Sequence, residues 1–197
     1  MALAARYALL IMLWWLRVTP LGWPVVPDVA DFSLVQRQPG LSPAPDRGIR
    51  WRASANPGGS PGADDPEPTH TPIVINEILA HTDLPQMDAI ELFNPTATNV
   101  NIGGWFLTDA AHVPQKFRIP DHTIIPAGGI LVFDADDFNA VPEAPGSFLL
   151  SSAGEEAHLF SASADGTLTG YAHSVAFGAS FNGVSFGRYV NSGGEEF

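Results

Sequence analysis

The amino-acid sequence predicts an all-β fold, an antiparallel β-sandwich preceded by an irregular N-terminal extension. Val, Ile, Phe and Thr are common, and the 197 residues include 19 Gly and 18 Pro, a composition suited to short strands joined by turns. Turn signals recur at short intervals, and no segment shows a helical period sustained over ten residues. Charged residues make up only 15% of the chain, fewer than a long-helix protein needs.

The first two strands are predicted at residues 72–80, "PIVINEILA", and 88–95, "DAIELFNP". Turn-forming or polar residues bound both segments. Because side chains alternate along a strand, Ile90, Leu92 and Asn94 are expected on one face. The apolar faces of two such sheets meet about 10 Å apart and form one core.

The next segment, "VNIGGWFLTDA", predicts a short strand, a kink at Gly103-Gly104 and another strand around residues 105–108. Trp105, flanked by apolar neighbours after a tight turn, is expected to fill the centre of the core. Leu131 and Phe133 are expected on one face, opposite Val132. Further strands are predicted in "QKFRIPD", "TIIPAGGILVFDA", "SFLLSS", "EAHLFSA" and "AHSVAFG", and a type I′ turn at Asn182-Gly183.

Residues 1–23 form a hydrophobic N-terminal segment. Its apolar run, residues 7–16, follows Arg6 and would rise only about 15 Å as a helix, which is half of a bilayer core. The basic start and this length are typical of a signal peptide, which predicts an exported, secreted or cell-surface protein with no stable membrane span. An ordinary buried segment is the alternative, because Arg17 follows directly and no clear cleavage site comes after it.

Residues 24–71 are predicted to be a Pro/Gly-rich linker. Ten prolines fall within residues 24–72, with "NPGGSPGADDPEPTHTP" as the densest stretch. Proline fixes φ and removes an amide donor, so this part disfavours both helix and sheet. The sandwich domain is therefore assigned to residues 72–197.

Charge and cysteine content exclude several functions. Residues 63–197 carry a net charge of −15, against +3 for residues 1–62, and an acidic surface repels phosphate backbones. Nucleic acid is therefore not expected as a partner. The chain has no cysteine, so disulfides, thiolate catalysis and thiolate metal sites are excluded.

Three carboxylates in "DADDF", Asp134, Asp136 and Asp137, are the weak candidates for a metal site. Oxygen ligands suit Ca²⁺, but the spacing does not match an EF-hand loop, and a solvated acidic turn is the simpler interpretation. The six histidines show no metal-ligand spacing. No cofactor is expected, and calcium is the one weak candidate.

Catalytic motifs are absent from the sequence: it contains no G-x-S-x-G elbow and no phosphate-binding glycine loop. Glu77 and Glu91 lie in predicted strands, where carboxylates sometimes form acid/base pairs. Glu77 is expected to be partly buried beside Ile75 and Leu79. Such strand carboxylates are expected to accept hydrogen bonds from a neighbouring loop or to meet an arginine such as Arg118 or Arg188. An enzyme is therefore not predicted.

Five segments in serial order resemble the lamin tail domain (LTD) family, in the form found in bacterial exported proteins: "IVINEILA", "DAIELFNPTATNVNIGGWFLTD", "FRIPDHTIIPAGGILVF", "LSSAGEEAHLF" and "NGVSFGRY". The resemblance covers residues 72–190. It implies an immunoglobulin-like β-sandwich that binds or spaces other parts of a protein, and it brings no catalytic residue to this chain. A protein or cell-surface partner is expected, and the oligomeric state is left open.

Two features depart from the family pattern. The chain stops at "NSGGEEF", where family members usually continue into another strand, while "FSLVQR" and "WRASANPGGSPG" resemble a closing segment placed before the domain. The N-terminal part is thus either the tail of a preceding module or a segment that pairs with the open edge of the sandwich.

The predicted function is a non-catalytic binding or spacer module of an exported or cell-surface protein. An unpaired sheet edge at the C-terminal end is expected to bind another strand. One alternative is a targeting appendage of a larger exported hydrolase or nuclease. Another is a calcium-dependent adhesion module.

Overall fold

The computed structural model describes residues 31–36, 51–67, 72–191 and 194–197. The described residues contain fourteen strands and one short helix, numbered here in chain order: β1 Phe32–Gln36, β2 Trp51–Pro57, β3 Val74–Leu79, β4 Ala89–Phe93, β5 Val100–Asn101, β6 Phe106–Thr108, β7 Phe117–Arg118, β8 Ile124–Ile125, β9 Ile130–Asp134, α1 Ala135–Phe138, β10 Gly154–Ala162, β11 Leu168–Gly178, β12 Phe186–Gly187, β13 Tyr189–Asn191 and β14 Gly194–Glu196.

Two four-stranded antiparallel sheets form the sandwich. The first sheet has the strand order β12-β3-β4-β9, and the second has the order β11-β10-β6-β7. Strands β5 and β8 pair separately, as do β1 with β2 and β13 with β14. The predicted all-β, immunoglobulin-like antiparallel sandwich is confirmed.

The main core lies between the two sheets and contains side chains from both of them. Ile90 and Leu92 of β4 are fully buried, as are Leu107 of β6 and Leu159 of β10. Trp105 belongs to the same cluster, and its ring centroid lies 6.0 Å from that of Tyr171. The predicted inward positions of Ile90, Leu92 and Trp105 are confirmed.

The chain turns sharply at Gly103-Gly104, between β5 and β6. Gly104 has a φ of +89°, in the left-handed region that favours glycine. A Cβ at Gly103 would lie 2.5 Å from the backbone nitrogen of His122. The turn is closed by a 3.1 Å hydrogen bond from Trp105 N to Ile102 O, so the two glycines place Trp105 over the core.

A β-bulge changes the pattern predicted for β3. The register between β3 and β4 shifts between Ile75 and Glu77, so Glu77 is exposed instead of lying partly buried beside Ile75. The prediction for Glu77 was therefore wrong. Glu91 accepts a 2.7 Å hydrogen bond from Asn76, and Arg118 forms an ion pair with Asp121.

The turn at Asn182-Gly183 also differs from its prediction. Val184 N donates to Phe181 O across it, and Gly183 has a φ of +72°. A type I′ turn needs a positive φ at both central residues, and Asn182 does not have one. One positive φ at the second central position is typical of a type II turn.

The N-terminal hairpin, β1 and β2, packs on the outer face of the second sheet. Phe32 belongs to a second apolar cluster with Phe106 and Phe160, whose side chains point away from the main core. A Cβ at Gly170 would lie 2.8 Å from the Phe32 ring, so glycine allows this close approach. The hairpin meets a face of the sandwich and does not extend either four-stranded sheet.

Part of the predicted linker folds back on this hairpin. Arg52 is buried and forms a 2.5 Å ion pair with Asp65. Arg52 also donates to the carbonyl oxygens of Asp65 and Pro66, and Ala55 N donates to the Asp65 carboxylate at 2.9 Å. These hydrogen bonds outweigh the effect of burial and hold the pKa of Asp65 below its usual value.

A search of the described residues for a helix long and apolar enough to cross a membrane finds none. The hydrophobic run at residues 7–16 lies outside the residues that the structure describes.

Candidate interaction surface

Strand β9 forms one side of the first sheet. It pairs along its whole length with β4, from Ala89 opposite Asp134 to Phe93 opposite Ile130. In the part of the chain that the structure describes, no strand pairs with its other side. This side is called the β9 edge below.

The backbone groups that the β9 edge presents follow from its register. Asn94 N donates to Gly129 O at 3.0 Å, and Ala135 N donates to Asp88 O at 2.9 Å. Hydrogen-bonded residues alternate along an antiparallel pair, so Leu131 and Phe133 direct their N–H and C=O groups to β4. Ile130 and Val132 therefore direct theirs away from the sheet.

The same two residues also present apolar side chains to solvent. Ile130 is 55% exposed and Val132 is 49% exposed, whereas Phe133 is buried in the main core. The predicted alternation of Leu131 and Phe133 against Val132 is confirmed. Proteins usually protect open edges with Lys, Pro or a bulge, and β9 has none of these. Its only charged residue is Asp134.

The C-terminal end of the chain was expected to supply the open edge, and β12 is the outermost strand on the side of the first sheet opposite β9. Strand β12 covers the other side of the first sheet by pairing with Glu77 and Ile78 of β3. Arg188 N then donates to Asn76 O at 2.8 Å, and β13 and β14 pair with each other. Of the two outer strands of the first sheet, β9 is the longer, and it lies in the middle of the sequence.

The three candidate metal ligands cap helix α1. Asp134 is its N-cap residue and accepts a 2.9 Å hydrogen bond from Asp136 N, while Asp137 accepts one from Asp134 N. This reciprocal arrangement is a capping box, and the acidic residues favour the positive end of the helix. Among the residues placed by the structure, no three His, Cys, Asp or Glu side chains form a group that could hold a metal ion. Calcium binding here stays an alternative hypothesis.

A serine, a histidine and a glutamate lie in a row on the outer face of the second sheet. His158 Nδ1 is 2.7 Å from Ser174 Oγ, and His158 Nε2 is 3.4 Å from a Glu156 carboxylate oxygen. His158 is 1% exposed, and burial lowers its pKa, although Glu156 and Asp109 act in the opposite direction. A neutral imidazole held between β10 and β11 fits a structural role, because its ring is not accessible to a substrate.

Glu155 is a second perturbed group on β10. Its carboxylate accepts a hydrogen bond from Ser151 N, yet burial raises its pKa. Nearby, Lys116 forms an ion pair with Asp109 and lies 5.9 Å from the centre of the Phe148 ring. These contacts join the β6–β7 loop, the segment before β10 and the start of β10 at one side of the sandwich.

The described strands form an immunoglobulin-like sandwich, and the comparison with known families agrees with this fold class. A family model described as Lamin Tail Domain matches residues 66–178, more than half of the chain. The chain belongs to the lamin tail domain family, whose members are non-catalytic domains that take part in protein interactions. No curated protein and no solved structure gives a significant match.

The β9 edge was not identified from the sequence as a site. Its signal was the uncharged run "GGILVF", in which Ile130 and Val132 alternate with the core residues Leu131 and Phe133. The alternation of inward and outward side chains along β9 was predicted correctly. Which strand lies at the side of the sheet depends on topology, and short strands joined by turns do not fix topology.

Proposed function

We propose that this chain is a non-catalytic binding or spacer module of an exported or cell-surface protein, and that it binds an extended partner strand along the β9 edge. One observation carries the proposal. Ile130 and Val132 present both their backbone hydrogen-bonding groups and their apolar side chains on the same open edge. An added strand would satisfy the backbone groups and place alternate side chains against Ile130 and Val132.

Export is supported by the composition of the chain and by its N-terminal segment. Residues 7–16 have the length of a signal-peptide core and follow Arg6, and the domain is strongly acidic. The charge of −15 over residues 63–197 favours a protein partner over nucleic acid.

The proposal is tested with random peptides displayed on phage and selected on the purified full chain. Val132→Pro removes an amide that points away from β4, so it blocks strand addition while leaving the β4 ladder intact. Val141→Pro is the matched control, because Val141 is 64% exposed and lies outside the strands. Selected peptides are expected to lose binding to Val132→Pro and to keep it with Val141→Pro. Equal binding to both variants would contradict strand addition at β9.

The same edge would serve a targeting appendage of a larger exported enzyme, and the neighbouring sequence distinguishes the two roles. A hydrolase or nuclease domain in the same reading frame would favour the appendage. Turnover of an ester, phosphate or glycoside by the purified chain would contradict a non-catalytic module.

A further inference from the structure

Four large apolar side chains are exposed near one end of the sandwich. They lie in the loop between β3 and β4, in the segment before β10 and in the turn before β12. Together they are called the end patch: Leu84, Leu149, Phe181 and Val184, which are 85%, 54%, 84% and 51% exposed. Single exposed apolar residues are ordinary, but a group of this kind marks an interaction site.

Hydrogen bonds hold the segments of the end patch together. Gly183 N donates to His81 O at 2.7 Å, and the His81 ring nitrogen lies 2.8 Å from Ser180 O. The Asn182 side chain bonds to Asp83, and Ser180 N donates to Ser152 O. The β3–β4 loop, the turn before β12 and the segment before β10 therefore form one surface, and its exposed side chains project from a braced backbone.

A cavity of about 380 Å³ opens in this surface. Leu84, Met87, Leu149 and Leu150 supply its apolar walls, and Ala135 of α1 closes one side. Ligand sites span about 300–1,000 Å³, so the cavity has room for one large apolar side chain with its backbone outside.

Asp88 is the one acidic side chain that lines the cavity. Asp83 lies in the same loop, and Asp136 and Asp137 follow Ala135 directly in α1, so the chain around the cavity is acidic and is called the acidic rim below. No Lys or Arg is among the residues that line it. A cationic partner is therefore attracted to this end of the domain, and an anionic one is repelled.

We propose that the end patch binds a basic segment of another protein, which inserts one large apolar side chain into the cavity while its Lys or Arg residues face the acidic rim. Aromatic and aliphatic anchors flanked by charges are the usual centres of such interfaces. This contact is independent of strand addition, because it uses side chains of three loops and no sheet edge.

The test uses the same displayed peptides, selected in parallel on the wild-type chain and on the double variant Leu84→Ser/Phe181→Ser. Both residues are more than four-fifths exposed, so the variant is expected to keep the wild-type melting temperature. The matched control is Val141→Ser, which removes an exposed apolar side chain that does not line the cavity. Selection on wild type and on Val141→Ser is expected to enrich peptides with Lys or Arg around a Leu, Phe or Trp.

Peptides enriched in this way are expected to bind the double variant at least about tenfold more weakly, the loss typical of an interface anchor. They are expected to keep their affinity for Val132→Pro, and their affinity is expected to fall as salt is raised. Enrichment of acidic or uncharged peptides at the patch would overturn the proposal. The proposal would also be overturned if every selected peptide bound the double variant as tightly as it binds wild type. Self-association of the chain that the double variant abolishes would overturn it too, because the partner at the patch would then be a second copy of the chain.

Discussion

Replacing Asn94 by alanine is expected to destabilise the sandwich by about 2–4 kcal/mol. Asn94 is completely buried at the end of β4. Its Nδ2 donates to Thr98 O at 2.7 Å, to Pro126 O at 3.0 Å and to Ile125 O at 3.1 Å. Its Oδ1 accepts from the backbone and the hydroxyl group of Thr96. One amide thus joins the turn after β4 to the end of β8.

The expected loss of stability follows from the carbonyl oxygens that lose their hydrogen-bond donor when Asn94 is replaced by alanine. The hydrogen bond to Ile125 O is buried, and a buried acceptor without a donor lowers the stability by about 1–3 kcal/mol. The bonds to Thr98 O and Pro126 O are partly exposed, so water replaces them at a loss of about 0.5 kcal/mol each. Thr96 is only half-buried, so water can replace Asn94 Oδ1 as the acceptor and these two contacts add little.

The assay is urea unfolding of the full chain, followed by tryptophan fluorescence, because Trp105 lies in the core. A loss of about 3 kcal/mol moves the midpoint by about 1.5 M at a slope of about 2 kcal/mol per M. Asn99→Ala is the matched control, because Asn99 is exposed and accepts one hydrogen bond, from Ala127 N. It is expected to cost about 0.5 kcal/mol. If Asn94→Ala costs no more than Asn99→Ala, the argument is refuted.

Asn94→Asp sharpens the test, since it keeps the shape and removes the donors. Burial and three facing carbonyl oxygens raise the pKa of the introduced carboxyl group. The unfolded chain then loses its proton at lower pH than the folded chain does, so the stability deficit grows as pH rises above about 4. A deficit that does not change between pH 4 and pH 7 would contradict this electrostatic cause.

Three further predictions concern other parts of the domain. Because burial raises the pKa of Glu155, its carboxyl group stays protonated to higher pH in the folded chain than in the unfolded chain. The free energy of unfolding therefore falls as pH rises above the ordinary carboxyl range. Glu155→Gln still accepts the Ser151 N–H bond, so its melting temperature is expected to exceed that of wild type at pH 7 and to match it at pH 4. Phe32→Ala is expected to cost about 3 kcal/mol in urea unfolding, because the ring covers Phe106 and Phe160. Adding EDTA is expected to leave the melting temperature unchanged, because the carboxylates of Asp134 and Asp137 already accept backbone hydrogen bonds.

Each of these three predictions can be contradicted by one result. A lower melting temperature for Glu155→Gln at pH 7 would show that the charged form is the stabilising one. Leu34→Ala is the control for Phe32→Ala, since Leu34 is 42% exposed, and equal losses would mean that the hairpin does not cover the second sheet. A fall in melting temperature with EDTA would support the calcium alternative.

Strand positions and inward faces were predictable because they depend on local alternation. Ile90 and Leu92 repeat every second residue, and the two glycines before Trp105 can only form a turn. Glu77 shows the limit of this reasoning. A single bulge in β3 reverses which side chains face the core, and a bulge needs no particular residue in the sequence.

The candidate sites depended on contacts between distant residues. Asp65 forms an ion pair with Arg52, although Asp65 lies in a proline-rich stretch that the sequence predicts to be a linker. The end patch joins loops about a hundred residues apart, such as His81 with Ser180. Periodicity does not report such contacts, because it describes only residues that are close together along the chain.

Amide hydrogen exchange along β9 tests the proposed binding mode most directly. In the free chain, the amides of Ile130 and Val132 are expected to exchange quickly, while those of Leu131 and Phe133 are protected by β4. A selected peptide that adds as a strand is expected to slow Ile130 and Val132 and to leave the other two unchanged. Ile130 and Val132 amides that are already as slow as that of Leu131 in the free chain, or that do not respond to the bound peptide, would contradict the proposed strand addition.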